Sequence, residues 1–153
     1  MQITFDVDIK LVSTDKLLKG LGLEESGKVQ HFFSNDLMRR SDKRVPMDTK
    51  VLANSAKLTP QGDGIIYITP YAQYHWFGKL MVDPITGKGA FYDPLSGRFW
   101  SRPNTQKELT DIDLNYQGAP MRGSEWVDRT FIEEGKEIIQ STELYIEKVS
   151  ELK

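Results

Sequence analysis

The sequence has no cysteine among its 153 residues. Disulfide bonds, thiol catalysis and cysteine-based zinc sites are therefore excluded. The chain also lacks an apolar run approaching the roughly 18 residues that a membrane-spanning helix requires, so no span is expected. Its first residues, MQITFDVD, contain neither a basic leader nor an apolar stretch, and we expect no signal peptide.

An excess of charge of one sign is lacking as well. The chain has 20 basic and 22 acidic side chains, which give a net charge of −2. A dedicated nucleic-acid-binding domain usually carries a large basic excess, so that class is not favoured. The length is typical of one domain, and 39% hydrophobic residues suffice for one core. We therefore expect a single domain over residues 1–153.

Hydrophobic periodicity predicts an α+β fold. Alternation over residues 2–12 indicates a half-buried strand, and the β-branched run 65–69 indicates a strand in the middle of a sheet. Apolar stripes predict helices over about 26–40, 71–77 and 125–149. Gly78 is expected to end the second of these helices. The expected architecture is a small, mostly antiparallel sheet packed by an N-terminal helix and a long C-terminal helix.

Residues 83–123 are rich in proline and glycine and lack helical periodicity. Two similar stretches, DPITGK at 83–88 and DPLSGR at 93–98, predict tight turns because Asp-Pro begins a reversal and glycine completes it. We interpret this region as an extended hairpin arm or insertion, since compact domains rarely contain so long an irregular stretch without a function for it. Deletion of residues 88–118 is expected to leave a folded monomer but to weaken assembly.

No pattern of residues indicates an enzyme. The motifs of phosphate loops, nucleophile elbows and zinc proteases are absent. His31 and His75 have no ligand-like spacing, and Asp6 and Asp8 fall on the polar side of the predicted strand. We expect no catalytic residue, no metal site and no cofactor. A hydrolase built from Asp6, Asp8 and His75 is a distant alternative.

Charge is unevenly distributed along the chain. Residues 28–57 contain seven basic and three acidic side chains, whereas residues 124–153 contain eight acidic and four basic ones. Both segments can be solvated helix faces, or they can attract each other within one subunit or between neighbouring subunits. The candidate charged interface consists of Arg39, Arg40, Lys43, Arg44, Glu133, Glu134 and Glu137. Its basic members could also contact DNA phosphates without sequence specificity.

Aromatic side chains are concentrated in two places. The helix predicted over 71–77 cannot bury four aromatic residues on one face, so some of them are expected to pack on the arm or on a second chain. Packing in the core is the alternative. The candidate oligomer or partner interface consists of Tyr71, Tyr74, Trp76, Phe77, Phe91, Tyr92, Phe99 and Trp100.

Several segments resemble, in the correct order, the minor capsid proteins of tailed phages of Gram-positive bacteria. The run VPMDTKVLANSA at 45–56 resembles the family segment VPMDTGxLxxSA, with Lys50 in place of glycine at a helix start that should tolerate it. The run IYITPYAQY at 66–74, with FGK at 77–79, resembles TPYARYxxYG. MVDPITG at 81–87 and a helix start at Trp126 follow, and residues 88–118 match least.

This resemblance implies a structural virion protein at the head–tail junction of a siphophage, made in the host cytoplasm. Related head–tail joining, neck and tail-completion proteins form rings that link the capsid to the tail. The implied partners are other copies of this chain and other phage neck, portal-adaptor and tail proteins, with possible non-specific contact with genomic DNA and no membrane. The alternative is a capsid-associated or host-interaction module that uses Trp76, Phe99 and Trp100 as anchors.

Overall fold

The computed structural model describes residues 1–4, 27–47 and 50–151. The helices of these ranges are α1 (Lys28–Ser41), α2 (Val51–Asn54), α3 (Ala72–Phe77) and α4 (Trp126–Glu151), with a 3-10 turn at Asp42–Arg44 directly after α1. The strands are β1 (Gln2–Thr4), β2 (Ala56–Leu58), β3 (Gly64–Tyr67), β4 (Lys79–Val82), β5 (Phe91–Asp93), β6 (Arg98–Trp100) and β7 (Glu108–Asp113). Helices and small antiparallel sheets confirm the predicted α+β class.

A three-stranded antiparallel sheet in the order β1-β3-β2 supports the core. β3 is central, as its β-branched sequence predicts, and its Ile65 is paired with Ile3 on one side and Leu58 on the other. Gly64 allows β1 to approach, because a Cβ there would lie 2.6 Å from the Ile3 carbonyl oxygen. The rest of the strand predicted over 2–12 lies outside the described residues.

Helices α1 and α4 pack along each other, and α1 also contacts β2 and β3. The ring of Phe32 stacks on that of Tyr145, with centroids 4.3 Å apart. The buried core is formed by Phe33, Leu37, Val45, Leu52, Ile65, Tyr67, Ala72, Trp126, Val127 and Ile138. The predicted packing of the sheet by an N-terminal helix and a long C-terminal helix is therefore confirmed.

The predicted arm over 83–123 is only partly an arm. Its strand β7 pairs antiparallel with β4, and the Thr110 hydroxyl donates to the Leu80 carbonyl oxygen at 2.7 Å. Farther along, the Tyr116 hydroxyl donates to the His75 carbonyl oxygen at 2.7 Å, and the Gly123 amide donates to the Arg44 carbonyl oxygen at 3.1 Å. Residues 108–123 thus contact the body. Deletion of 88–118, which the sequence predicts to leave a folded monomer, would therefore remove β7 and the hydrogen bond of Tyr116 as well.

The predicted turns at the ends of α3 and in the arm are confirmed. Gly78 follows α3 with a φ of 68°, a left-handed conformation that glycine adopts readily. In the arm, the Gly87 amide donates to the Asp83 carbonyl oxygen at 2.8 Å, and the Gly97 amide donates to that of Asp93 at 2.9 Å. The two Asp-Pro sequences therefore form closely similar reversals.

Lys50 has a φ of 64° immediately before α2. This left-handed conformation places the Cβ of an L-residue close to its own backbone, whereas glycine avoids that contact. The phage family that the segment resembles has glycine at this place. Lysine is thus accommodated at this helix start, but in a backbone conformation that is strained for an L-residue.

Candidate interaction surfaces

His75 is flanked by aromatic side chains. His75 lies between the rings of Tyr71 and Tyr116, each with its centroid 5.8 Å away, and burial lowers the pKa of its imidazole. Among the described residues its buried Nδ1 has no hydrogen-bond partner. Asp6 and Asp8, the proposed companions of His75 in a hydrolase, lie outside the described residues. Within 1–4, 27–47 and 50–151, no group of His, Asp and Glu is arranged to hold a metal ion.

The predicted charged interface forms contacts inside one chain. Arg44 Nη1 donates to Glu134 Oε1 at 2.7 Å and Arg40 Nη1 to Glu134 Oε2 at 3.2 Å. Arg44 also pairs with Glu133, and Lys43 also pairs with Glu134. The cations come from the end of α1 and the following turn, and the carboxylates from the third turn of α4, so the packing of these helices brings them together.

Two further ion pairs lie within α1. Arg39 and Arg40 both donate to the carboxylate of the buried Asp36, at 2.6 and 3.1 Å. Opposite charges of the two segments therefore meet within the subunit, which is one of the alternatives considered for them. Arg39 and Lys43 remain largely exposed, so a contact of these residues with a second subunit or with DNA stays a prediction. Glu137 is exposed and remains available as a surface charge.

Glu134 is the centre of this cluster. Its pKa is lowered to about 2 by the hydrogen bond from Lys43, against the opposing effect of burial, with further contributions from Arg44 and Arg40. Its partner Arg44 is only 5% exposed. A buried guanidinium needs such a partner, because an unpaired buried charge is strongly destabilising. The cluster accordingly fixes the position of α4 relative to α1.

The aromatic residues of α3 divide between core and surface. The ring of Trp76 contacts that of buried Trp126 edge to face, with centroids 5.0 Å apart, and Trp126 contacts Tyr67 in the same way at 5.2 Å. Trp76 is therefore packed against the core, as the alternative to an interface role expects, but it remains partly exposed. Phe77 is largely exposed.

Tyr71 and Tyr74 contribute partly exposed rings to the same surface. Tyr71 contacts His75 edge to face, and the Lys107 ammonium lies 5.6 Å from the centroid of the Tyr74 ring. That distance permits a cation–π interaction. The contact links α3 to the stretch that leads from β6 to β7.

The β5–β6 hairpin carries the second aromatic group. Phe91 is paired with Trp100 and Tyr92 with Phe99, and directly paired residues share a face of an antiparallel ladder. Since successive residues point to opposite faces, both faces of the hairpin carry aromatic rings. Phe91 is 68% exposed and Phe99 71%. Among the described elements, none packs extensively against this hairpin.

The base of the hairpin is held by an ion pair. Arg102 donates to both carboxylate oxygens of Asp83, Nε to Oδ2 at 2.5 Å and Nη2 to Oδ1 at 2.9 Å. The hydrogen bond from Arg102 is the main cause that lowers the pKa of Asp83 to about 2. The Asp-Pro turn at Asp83 therefore anchors the chain on both sides of the hairpin, while the tip at Leu95 is 97% exposed.

An apolar groove lies on the body between β1, α1 and α4. Its cavity is about 430 Å³, and it is lined by Ile3, Thr4, Phe33, Leu37, Val127, Asp128, Phe131 and Ile132. Ile132 is 82% exposed. The sequence predicted an apolar stripe along the helix at 125–149 but not this groove, which several separate elements line. The available signal was the width of the stripe, which exceeds the face that one neighbouring helix covers.

No helix of the described ranges combines the length and the apolar character needed to cross a bilayer. Compared with known protein families, curated proteins and solved structures, the chain shows no significant match.

Proposed function

We propose that this chain is a non-enzymatic structural protein of a tailed-phage particle, located at the head–tail junction and assembled as a ring. The observation that carries the proposal is the aromatic hairpin β5–β6, whose rings are about half or more exposed and against which no other described element packs extensively. A surface of this kind is typical of an interaction site, because aromatic residues are enriched where proteins meet.

The ordered family-like segments provide the second support. VPMDTKVLANSA contains Val45 and Leu52 of the core together with α2. IYITPYAQY runs from β3 into α3. These segments therefore contribute to the frame of the body, as expected where a sequence likeness reflects a shared architecture. In the proposal the partners are copies of this chain and other neck, portal-adaptor and tail proteins, and synthesis takes place in the host cytoplasm.

Location in the particle tests the proposal. Mass spectrometry of purified particles of the encoding phage should detect the chain, and electron microscopy of particles carrying a tagged copy should place the tag at the neck. Loss of the gene should yield separate filled heads and tails. Particles that lack the chain, or a tag located elsewhere on the capsid, would contradict the proposal.

The exposed hairpin also supports a second candidate, a peripheral capsid-associated or host-interaction module. Its anchors would be Trp76, Phe99 and Trp100, of which Phe99 and Trp100 are the more exposed because Trp76 also packs on Trp126. Two observations distinguish the candidates. A chain that stays monomeric, and whose loss leaves head–tail joining intact, is expected for this module and not for a ring subunit.

A further inference from the structure

The β5–β6 hairpin and the apolar groove both expose large apolar side chains in the described part of the chain. A two-stranded hairpin is at best marginally stable in water unless one face is covered. The groove likewise exposes aliphatic and aromatic side chains, at Ile132 above all. Burial of either feature against an apolar partner would therefore be favourable. The two shapes are complementary, because the hairpin projects at its tip and the groove is concave.

We propose that the β5–β6 hairpin of one copy docks into the groove of a second copy, with Leu95 and Phe99 as the inserted side chains. The inference rests on the self-association in the proposed function but not on the location in the particle. A cavity of about 430 Å³ lies in the range of small-ligand pockets, which suits two side chains of this size.

Within residues 1–4, 27–47 and 50–151, the hairpin and Ile132 of the groove are both exposed, so the proposed occupant of the groove is the hairpin of another copy. Leu95 is among the most exposed apolar residues, and Ile132 in the groove is similarly exposed. Docking of tip to groove joins two different surfaces, which makes the contact heterologous. Repeated heterologous contacts produce a closed ring when the rotation closes, and a filament otherwise.

Charge favours this pairing over other apolar occupants. Residues 88–107 contain four basic and one acidic side chain, whereas the helix that borders the groove lies in a segment with an acidic excess. Glu133 and Glu134 are occupied by Arg44, but the exposed Asp128 lines the groove itself. Arg98 follows the tip and is exposed. We expect Arg98 of one copy to approach Asp128 of the next, which would steer association and fix its orientation.

Complementation between two variants tests the contact. Leu95→Asp damages the tip and leaves the groove, while Ile132→Glu damages the groove and leaves the tip. Both residues are highly exposed, so neither change should affect folding, which circular dichroism checks. In sedimentation velocity the unaltered chain is expected to form oligomers, and each variant alone should sediment as a monomer.

The mixture of the two variants gives the decisive result. One intact tip and one intact groove remain in it, so a heterodimer should form and grow no further. Ile85→Ser provides the matched control, because Ile85 is equally exposed but lies in the first Asp-Pro turn, outside the hairpin. This control should assemble as the unaltered chain does.

A charge exchange addresses the orientation. Arg98→Glu and Asp128→Arg should each weaken assembly, and the double variant should recover part of the loss, whereas Lys136→Glu on the same helix should have little effect. An unaltered chain that remains monomeric at high concentration overturns the inference and the self-association together. Oligomers that persist in both single variants, or a mixture that stays monomeric, overturn only the docking and leave the proposed function standing.

Discussion

The guanidinium of Arg44 donates to Glu134 Oε1 at 2.7 Å across 90 residues of sequence. The pair joins the turn after α1 to α4, the two helices that pack most extensively. Arg40 and Lys43 reach the same carboxylate, so one acidic side chain pairs with cations from three positions. Part of the opposite charge of the two segments therefore stabilises the fold of one subunit, whereas the exposed aromatic rings of the hairpin are candidates for contacts between molecules.

Replacement of Glu134 should destabilise the fold. Glu134→Gln leaves Arg44 buried with only Glu133 as a carboxylate partner, and loss of one member of a buried pair typically costs about 3–5 kcal/mol. Because Glu133 remains, we expect a loss of about 2–3 kcal/mol in the free energy of unfolding, measured by urea titration. Glu137→Gln, on the exposed face of the same helix, is the control and should change stability by less than about 0.5 kcal/mol. Equal effects of the two variants would contradict the assignment.

Stability should also fall in acid through the same residue. The pKa of Glu134 is lowered from 4.5 to about 2 in the folded chain. As the pH falls, Glu134 is therefore protonated in the unfolded chain before it is protonated in the folded chain. Its contribution to the free energy of unfolding is complete above about pH 4.5 and is lost as the pH falls towards 2. Urea midpoints measured across this window should decline more steeply for the unaltered chain than for Glu134→Gln. Parallel declines would show that Glu134 is not the titrating group.

Glycine at position 50 should stabilise the protein. Lys50 has a φ of 64°, which costs an L-residue about 1 kcal/mol and glycine little. Lys50→Gly is expected to raise the free energy of unfolding, although the greater freedom of glycine in the unfolded chain offsets part of the gain. Lys57→Gly is a matched control, because Lys57 is an exposed lysine in the regular strand β2, where glycine should destabilise by roughly 0.5–1 kcal/mol. If both variants changed the free energy of unfolding in the same direction, backbone strain at Lys50 would not explain the effect.

Two tryptophans should separate core from surface. Trp126 is fully buried between Tyr67 and Trp76, so Trp126→Ala should cost about 3–5 kcal/mol. Trp100 is exposed on the hairpin, and Trp100→Ala should change monomer stability by less than about 0.5 kcal/mol. Thermal unfolding at a concentration that keeps the chain monomeric measures both. A large loss from Trp100→Ala would mean that the hairpin packs on the body.

The sequence predicted those helices, strands and turns whose conformation depends on residues within the same segment. The β-branched run identified β3 as a central strand, the apolar stripe identified α4, and the two Asp-Pro turns identified the reversals at Gly87 and Gly97. In each case the residues that determine the conformation are neighbours in the chain. Local propensity and periodicity were then sufficient.

Features that depend on distant contacts were not predictable in this way. Nothing in the composition of residues 83–123 shows that β7 returns to pair with β4, because strand pairing is decided by tertiary packing. The same limit applies to Trp76. Its aromatic neighbours in sequence suggested an interface, but its ring contacts that of Trp126, which is fifty residues away in the sequence. The left-handed Lys50 was missed because lysine gives no signal of a positive φ.

Shortening the arm should distinguish its two parts. Residues 92–99 can be replaced by an Asn-Gly turn, because Phe91 and Trp100 are directly paired and a two-residue loop joins such partners. This change should leave the melting temperature of the monomer nearly unaltered and abolish self-association.

Deletion of 88–118 also removes β7 and the hydrogen bond from Tyr116 to His75. It should therefore lower the melting temperature or abolish the cooperative transition altogether. Tyr116→Phe removes only that hydrogen bond, and we expect it to lower the free energy of unfolding by about 1 kcal/mol. If the short deletion instead unfolded the chain, the hairpin would be part of the core and could not act as a separate docking element.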